Sequence, residues 1–187
     1  NSSNPAAGAA VTFNGTNIVG TNIGFGDSNC WGFQNSQAYY AEVGAIVTGN
    51  GAYTLTNFLD TNFEMNGVSL EVFYDDGNGT NNRDVVMFHG NDSNISSAFD
   101  PANWQATLNG INYSGGSASI VLGVADGQPA ADEQVNFSSS LTGNHVLFPA
   151  GAAVDGLFDG TSVPNTGGNS LGLWDVQFKD ITSFLGN

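Results

Sequence analysis

The chain has 187 residues and a mass of 19.3 kDa, with 2 Lys and Arg residues against 17 Asp and Glu residues and a formal net charge of -15. One lysine and one arginine cannot form a phosphate-binding surface, so nucleic acid is excluded as an expected partner. Anionic lipid would repel the chain. The sequence contains no run of about 18 apolar residues, so no membrane-spanning segment is predicted. Hydrophobic residues make up 40% of the chain, a larger fraction than a disordered chain carries. We therefore expect a packed core.

The start of the chain and its Lys/Arg scarcity favour an extracellular or cell-surface location. Residues 1–5 are polar and lack Met, as in an exported protein whose leader has been removed. Seven Asn-x-Ser/Thr sequons make N-glycosylation possible in a cell that modifies exported proteins. Cys30 is the single cysteine, and we expect a buried thiol, with an intermolecular disulfide as the alternative.

The first half of the chain reads as short β-strands separated by turns. Residues 10–13 and 17–23 flank Asn14-Gly15, which is a strong hairpin signal. Residues 68–74 alternate between apolar and polar, and we expect them to pair with residues 83–89 across the polar loop 75–82. Further strands are predicted over residues 38–47 and 52–58.

The second half continues the same pattern, and no helical period lasts three turns. Residues 118–124 form the most apolar run and predict a central strand. Residues 173–185 close the chain, with Trp174, Val176 and Phe178 on one face and Asp175, Gln177 and Lys179 on the other. The remaining predictions are strands over 104–111, 133–137 and 145–148, a helical turn within 97–104, and a long surface excursion over 151–172.

These elements predict an all-β chain built as an antiparallel β-sandwich of the jelly-roll or immunoglobulin-like kind. We see no fixed-period repeat and no linker. The predicted organisation is an N-terminal segment over residues 1–13 and a single β-sandwich domain over residues 14–187.

Three segments together resemble a β-sandwich ectodomain found in exported surface proteins of bacteria, including those with exosortase-type sorting tails, and of archaea. They are Asn66–Tyr74, then Gly123–Gln128, and finally Leu173–Val176 with Asp180–Leu185. The resemblance spans roughly residues 38 to 185 and rests on short motifs. It implies an exported location and a non-catalytic architecture, and it supplies no catalytic residues.

The resemblance leads us to expect one more apolar strand after Leu185, where this sequence has only Gly186 and Asn187. A sandwich that lacks a strand exposes an unpaired edge. Three alternatives are open: an internal strand closes the fold, a neighbouring subunit supplies a strand by β-strand addition, or the sequence is truncated before the missing strand. In the second case the N-terminal segment, residues 1–13, is the candidate donor.

The loop over residues 75–84 is the best candidate metal site. Asp76, Asn78, Asn82 and Asp84 place oxygen ligands at alternate positions, as in the first part of a calcium loop, with Thr80 between them. A distal Glu of the EF-hand type is missing, so a solvated hairpin loop is the alternative. Two further acidic groups, at Asp126, Asp132 and Glu133 and at residues 155–159, have the same two interpretations.

Catalytic motifs are absent from the sequence, and we predict that the protein is not an enzyme. There is no nucleophile elbow, zinc-type histidine pair or phosphate loop, and His89 and His145 fall on apolar strands where a structural role is expected. Carboxylate pairs leave a glycosidase as a minor alternative. Exposed aromatic side chains would indicate a sugar platform, although core packing is the usual role of Trp31, Trp104, Trp174, Tyr39, Tyr40 and Tyr113.

The sequence therefore predicts an extracellular structural subunit that self-associates into a homopolymer, such as a pilus-like fibre, surface coat or biofilm matrix, by β-strand complementation. The alternative is a calcium-dependent carbohydrate-binding or adhesin module with glycans as partners. Calcium is the one cofactor that the residues suggest.

Overall fold

The computed structural model describes residues 4–26, 35–58, 65–93, 96, 103–125, 127, 131–151, 157–160 and 174–186. Within these residues the chain is all-β: every ladder is antiparallel, the sheets have two or three strands, and the helical content is one short 3-10 turn. The strands are β1 Ala10–Phe13, β2 Thr16–Val19, β3 Thr21–Gly26, β4 Ser36–Tyr40, β5 Leu55–Thr56, β6 Ser119–Ala125, β7 Val135–Ser139, β8 Gly143–Phe148 and β9 Trp174–Asp180, and the 3-10 helix is Thr182–Leu185.

The β1–β2 hairpin confirms the strongest turn prediction. Asn14 and Gly15 both have positive φ, 47° and 80°, as the two central residues of a type I′ turn require. Their backbone twist matches that of the flanking strands, so β1 and β2 pair from Ala10 opposite Val19 to Phe13 opposite Thr16. The other edge of β1 pairs with β5, which makes β1 the centre of a three-stranded sheet.

Gly20 divides what the sequence predicts as one strand over 17–23 into β2 and β3. Its N–H donates to the Ala9 carbonyl at 2.8 Å, and a Cβ at this position would lie 2.8 Å from Cβ of Tyr39. Only glycine fits such a close approach. The chain then turns into β3, which pairs with β4 through an irregular register between Asn22 and Gly24.

The described residues fall into two compact units. The first draws on residues 1–65 and 75–111 and contains β1 to β5, so β1 lies within it. The second draws on residues 66–74 and 112–187 and contains β6 to β9. The prediction of a single sandwich domain over 14–187 beside a separate segment 1–13 stays a prediction.

The core of the second unit forms around Leu147, Phe148 and Ile181, which are buried. Leu147 and Phe148 are the last two residues of β8, and both are buried. Ile181 directly follows β9. Burying a large apolar side chain of this kind contributes about 1.5–3 kcal/mol each. The partly buried side chains packed on this core are Ala118, Ile120, Leu122, Val135, Phe137, Leu157, Phe184 and Leu185.

Several predicted strands are shorter than expected or lie outside any ladder. The strand predicted over 38–47 ends at Tyr40, and that over 52–58 is reduced to Leu55–Thr56. Residues 68–74, 83–89 and 104–111 form no ladder in the part of the chain that the structure describes. Alternation predicts that a segment suits a half-buried sheet, whereas a strand also needs a hydrogen-bonded partner, which alternation does not specify.

Two other predictions fall wholly or partly outside the residues that the structure describes. Residues 97–102 of the predicted helical turn, and all of the predicted excursion except 151 and 157–160, lie outside the described residues. Across the ranges that the structure does describe, no helix has the length and apolar character needed to cross a bilayer.

Candidate functional site

Strands β6 and β9 form a two-stranded ribbon whose two faces differ in chemistry. The strands pair at seven positions, from Ser119 opposite Asp180 to Ala125 opposite Trp174. Directly opposed residues lie on the same face of an antiparallel pair. One face therefore carries Ile120, Leu122 and Val124 with Lys179, Gln177 and Asp175. The other carries Ser119, Val121, Gly123 and Ala125 with Asp180, Phe178, Val176 and Trp174.

The face that carries the polar residues of β9 is the one turned toward the core of the second unit. Asp175 is fully buried at 0% exposure. Nζ of Lys179 lies 5.8 Å from the centroid of the Phe148 ring, so the aromatic core receives the cation. Sequence patterning indicates the two faces correctly, but normal hydrophobic-in patterning would bury the opposite one.

Three polar side chains on or near this face hold the backbone of residues 157–160. Oδ2 of Asp175 accepts a hydrogen bond from the Gly160 N–H at 2.7 Å, and Oδ2 of Asp132 accepts one from the Phe158 N–H at 2.8 Å. Nε2 of Gln177 donates to the Leu157 carbonyl at 2.7 Å. A buried carboxylate is tolerated where charge-assisted hydrogen bonds replace its hydration. This polar cluster thus accounts for the inward polar face of β9.

Gly127 fits closely against the same cluster. A Cβ at this residue would meet Oδ2 of Asp175 at 2.1 Å and the Gly160 nitrogen at 2.7 Å. The position therefore requires glycine because carboxylate and backbone approach it more closely than a side chain allows. Of the second predicted acidic group, Asp132 holds the backbone at Phe158, Glu133 is exposed, and Asp126 lies outside the described residues.

The opposite face of the ribbon is apolar and exposed. Val121 and Phe178 are direct cross-strand neighbours and are 59% and 65% exposed, and Val176 is 45% exposed. Gly123 lies between them in the same face. Exposed apolar side chains are ordinary when scattered, but a contiguous cross-strand group without charge is typical of an interaction surface.

Residues 66–74 of the second unit begin beside this face. A Cβ at Gly67 would lie 2.7 Å from Cε3 of Trp174, and one at Gly123 would lie 3.6 Å from Nε1 of the same ring. The Trp174 ring therefore contacts both the start of the segment and β6. Beyond Gly67 the apolar side chains are exposed; they are Val68, Leu70, Val72, Phe73 and Tyr74.

The predicted calcium loop is a series of side-chain turns in solvent. Oδ1 of Asp76 accepts the Asn78 N–H at 2.9 Å, and Oδ1 of Asn78 accepts the Thr80 N–H at 3.2 Å. Oδ2 of Asp76 accepts Nδ2 of Asn81 at 3.0 Å. The Asn81 amide and then the Asn78 N–H lower the pKa of Asp76 by stabilising its carboxylate.

The structure thus links two of the four predicted ligands, Asp76 and Asn78, while Asn82 and Asp84 follow them in the same exposed loop. The carbonyl of Asn82 accepts a hydrogen bond from the Arg83 guanidinium at 2.9 Å. Over the residues that the structure describes, no three His, Cys, Asp or Glu side chains form a group able to hold a metal ion. The calcium assignment stays a prediction.

Both histidines stack on aromatic rings. The His89 ring lies 4.4 Å from that of Tyr40, and the His145 ring lies 4.5 Å from that of Phe184. Nε2 of His145 also lies 2.7 Å from Oγ1 of Thr142. Of the candidate sugar-platform residues, Trp104 is exposed, Trp174 is half-buried, and Trp31 lies outside the described residues.

Sequence reasoning missed the polar cluster around Asp175. Its one sign in the sequence is the alternation of Asp175, Gln177 and Lys179 on one face of a strand, which does not indicate that this face is buried. No protein-family model matches the chain, and comparison with curated proteins and with solved structures finds no match.

Proposed function

We propose that the protein is an extracellular structural subunit that self-associates through its β-structure into a polymer. The observation that carries the proposal is the exposed apolar face of the β6–β9 ribbon, centred on Val121 and Phe178. At about 25 cal/mol per Å² of apolar surface removed from water, covering such a face is a favourable source of association free energy.

Charge supports self-association at this face over other places on the chain. The formal net charge of -15 makes two copies repel wherever their acidic residues approach. Val121, Gly123, Val176 and Phe178 carry no charge, whereas Asp175 and Lys179 lie on the opposite face. The one charged side chain on this face is Asp180, at the end of the ribbon opposite Ser119. Two copies that meet on Val121, Val176 and Phe178 therefore bury apolar surface with a single carboxylate per copy beside the contact.

The same exposed face bears on how the sheets are layered. We infer that the exposed face of the ribbon is the inner face of a β-sandwich whose second layer comes from a further strand. Stacked sheets lie about 10 Å apart and bury the facing side chains of both layers. The core of Leu147, Phe148 and Ile181 already covers the other side of the ribbon. The apolar composition of both faces of β6 supports this arrangement, because a strand buried on both sides is apolar throughout.

An extracellular, non-catalytic role fits the same features. Lys and Arg number only 2 in the whole chain, which suits a protein exposed to trypsin-like proteases. The two histidines are engaged in ring stacking, as expected for structural side chains. Together these features support a structural role over a catalytic one.

The test compares assembly of the wild-type chain with that of Phe178→Ser and Val121→Ser. We expect the wild type to form larger species as concentration rises, seen by light scattering after size exclusion and by negative-stain microscopy, and both variants to lose them. Leu141→Ser is the matched control, since Leu141 is 80% exposed in the β7–β8 turn region, outside the ribbon. A wild-type chain that stays monomeric at every concentration overturns the proposal.

A further inference from the structure

We propose that residues 68–74 of one copy add as a β-strand to the free edge of β6 in a second copy. This inference rests on the proposed function and deepens it by naming the donor segment and the acceptor edge. It differs from the sequence prediction, which placed the donor at residues 1–13.

The donor segment has the pattern of a strand and no strand partner. Val68, Leu70, Val72 and Tyr74 alternate with Ser69, Glu71 and Phe73, so one side is apolar and carries no charge. Among the described residues none is hydrogen-bonded to the backbone of 66–74, and the apolar side chains are exposed. An extended peptide with free N–H and C=O groups and alternating side chains is what β-strand addition requires.

The acceptor is the edge of β6 that faces away from β9. Strand β6 pairs with β9 at all seven of its residues, and within the described chain it has no ladder on its other side. Its backbone there offers a row of donors and acceptors to an incoming strand. The side chain of Val121 stands at the middle of β6 on the exposed apolar face, so an added strand with an apolar side extends that face.

The N-terminal hairpin is a poorer donor because its own chain holds it on both sides. Strand β1 lies between β2 and β5, and the two-residue turn at Asn14-Gly15 ties it to β2. The Tyr39 hydroxyl donates to the Ala7 carbonyl, and the Gly20 N–H donates to that of Ala9. Residues 68–74 are released from their own unit at far smaller cost, since they have no ladder to break.

The donor segment binds a second copy because it does not cover the β6–β9 ribbon of its own chain. Within one chain, the segment 66–74 contacts Trp174 at Gly67. From Val68 onward its apolar side chains remain exposed, as do Val121 and Phe178. One exchange between copies covers both surfaces at once. The single charge in the donor, Glu71, falls on its polar side, so the apolar side approaches β6 without adding to the repulsion between acidic chains.

Disulfide trapping tests the pairing directly. In a Cys30→Ser background, chains carrying Val68→Cys, Leu70→Cys or Val72→Cys are each mixed with chains carrying Val121→Cys in a glutathione buffer. With the apolar side of the donor on the face of Val121, as the inference requires, one of the three alternating positions lies opposite Val121 or next to it on that face. We expect that mixture to form a covalent heterodimer at least about tenfold faster than a mixture with Leu141→Cys.

A chain that carries both cysteines shows whether the segment closes on its own ribbon. An intrachain disulfide in a monomer, with no heterodimer in the mixtures, overturns the inference. Heterodimer formation no faster than with Leu141→Cys overturns it as well.

A proline variant separates this inference from the proposed function. Val72→Pro removes one backbone N–H from the donor and should lower assembly by about tenfold or more, and Val86→Pro, in another exposed segment without a ladder, is the matched control. If the wild type assembles and Val72→Pro assembles equally well, the inference fails while the proposed function stands. If the wild type does not assemble at all, the proposed function fails first.

Discussion

The buried carboxylate of Asp175 accepts the backbone N–H of Gly160 at 2.7 Å, across fifteen residues of sequence. Replacing Asp175 by Ala leaves that N–H without its acceptor and creates a cavity, so we expect the free energy of unfolding to fall by about 1–3 kcal/mol. Urea unfolding followed by circular dichroism measures the change. Asp180→Ala, at the exposed end of the same strand, is the control and should cost less. An equal loss in the two variants would contradict the role of Asp175.

Gly127 tests the same cluster from its other side. In Gly127→Ala the new Cβ would overlap Oδ2 of Asp175 at 2.1 Å, and the neighbours it meets include backbone, which cannot move aside cheaply. We expect a destabilisation of about 1–3 kcal/mol, typical of overpacking. Gly44→Ala is the matched control, because a Cβ there has nothing within 4 Å. Thermal melts of the two variants should differ clearly, and coincident melting curves would refute the close approach.

Tyr39 fixes the N-terminal residues to the first unit. Its hydroxyl donates to the Ala7 carbonyl and lies 2.8 Å from Oε1 of Gln37, and burial raises its pKa. We expect Tyr39→Phe to lose about 1 kcal/mol of stability and to speed amide exchange around Ala7. Tyr40→Phe removes an exposed hydrogen bond to Glu42 and serves as the control. Unchanged amide exchange in Tyr39→Phe would argue against this anchor.

Asp180 gives a pH dependence of known sign. Its Oδ1 accepts the Thr182 N–H at 2.8 Å, and the Thr182 backbone and then its hydroxyl lower the pKa of this carboxyl. Since the folded pKa lies below the unfolded one, the stabilisation is present above the unfolded value of about 3.9 and is lost as the pH falls through the folded pKa.

The midpoint of urea unfolding, measured from about pH 6 to about pH 2 so that the range brackets the carboxyl pKa, checks this sign. The wild type should lose more stability toward low pH than Asp180→Asn, whose side chain does not titrate in this range. Parallel profiles for the two proteins would contradict the assignment.

The calcium prediction has its own measurement. If the loop over residues 75–84 binds calcium, titration calorimetry should give a Kd of about 10⁻⁴–10⁻³ M, the range of extracellular calcium modules. Asp76→Asn should weaken binding because calcium must replace the Asn81 amide at that carboxylate. Glu133→Gln, an exposed change elsewhere, is the control. Heat that is unaffected by Asp76→Asn would show that the loop is not the site.

The sequence predicted those elements whose signal is local. Asn14-Gly15 specifies a turn with two positive φ angles, so the β1–β2 hairpin follows from two residues and the apolar runs beside them. The run that became β6 was equally clear, because it contains the apolar residues Ile120, Val121, Leu122 and Val124, three of them β-branched. The all-β class follows from such segments together.

What sequence could not supply is the choice of partner and of buried face. Residues 68–74 and 83–89 have strand patterns as clear as that of β6, yet neither forms a ladder in the described structure. For β9 the alternation was right, but the buried side depends on Asp132 and Asp175 meeting backbone N–H groups at residues 158 and 160, which are distant in sequence. Hydrogen bonds between residues distant in sequence do not produce a periodic pattern of apolar and polar residues.

The tight turn between β1 and β2 also determines how this part of the protein responds to mechanical tension. Ala10 and Val19 are paired at the open end of the hairpin, so the chain enters and leaves at the same place. A force that pulls these two ends apart loads the hydrogen-bonded pairs one after another, from Ala10 toward Phe13, instead of shearing them together. The β1–β2 pairs therefore open first at Ala10 and Val19, while the pairing of β1 with β5 at Thr12 and Phe13 still holds the strand in its sheet.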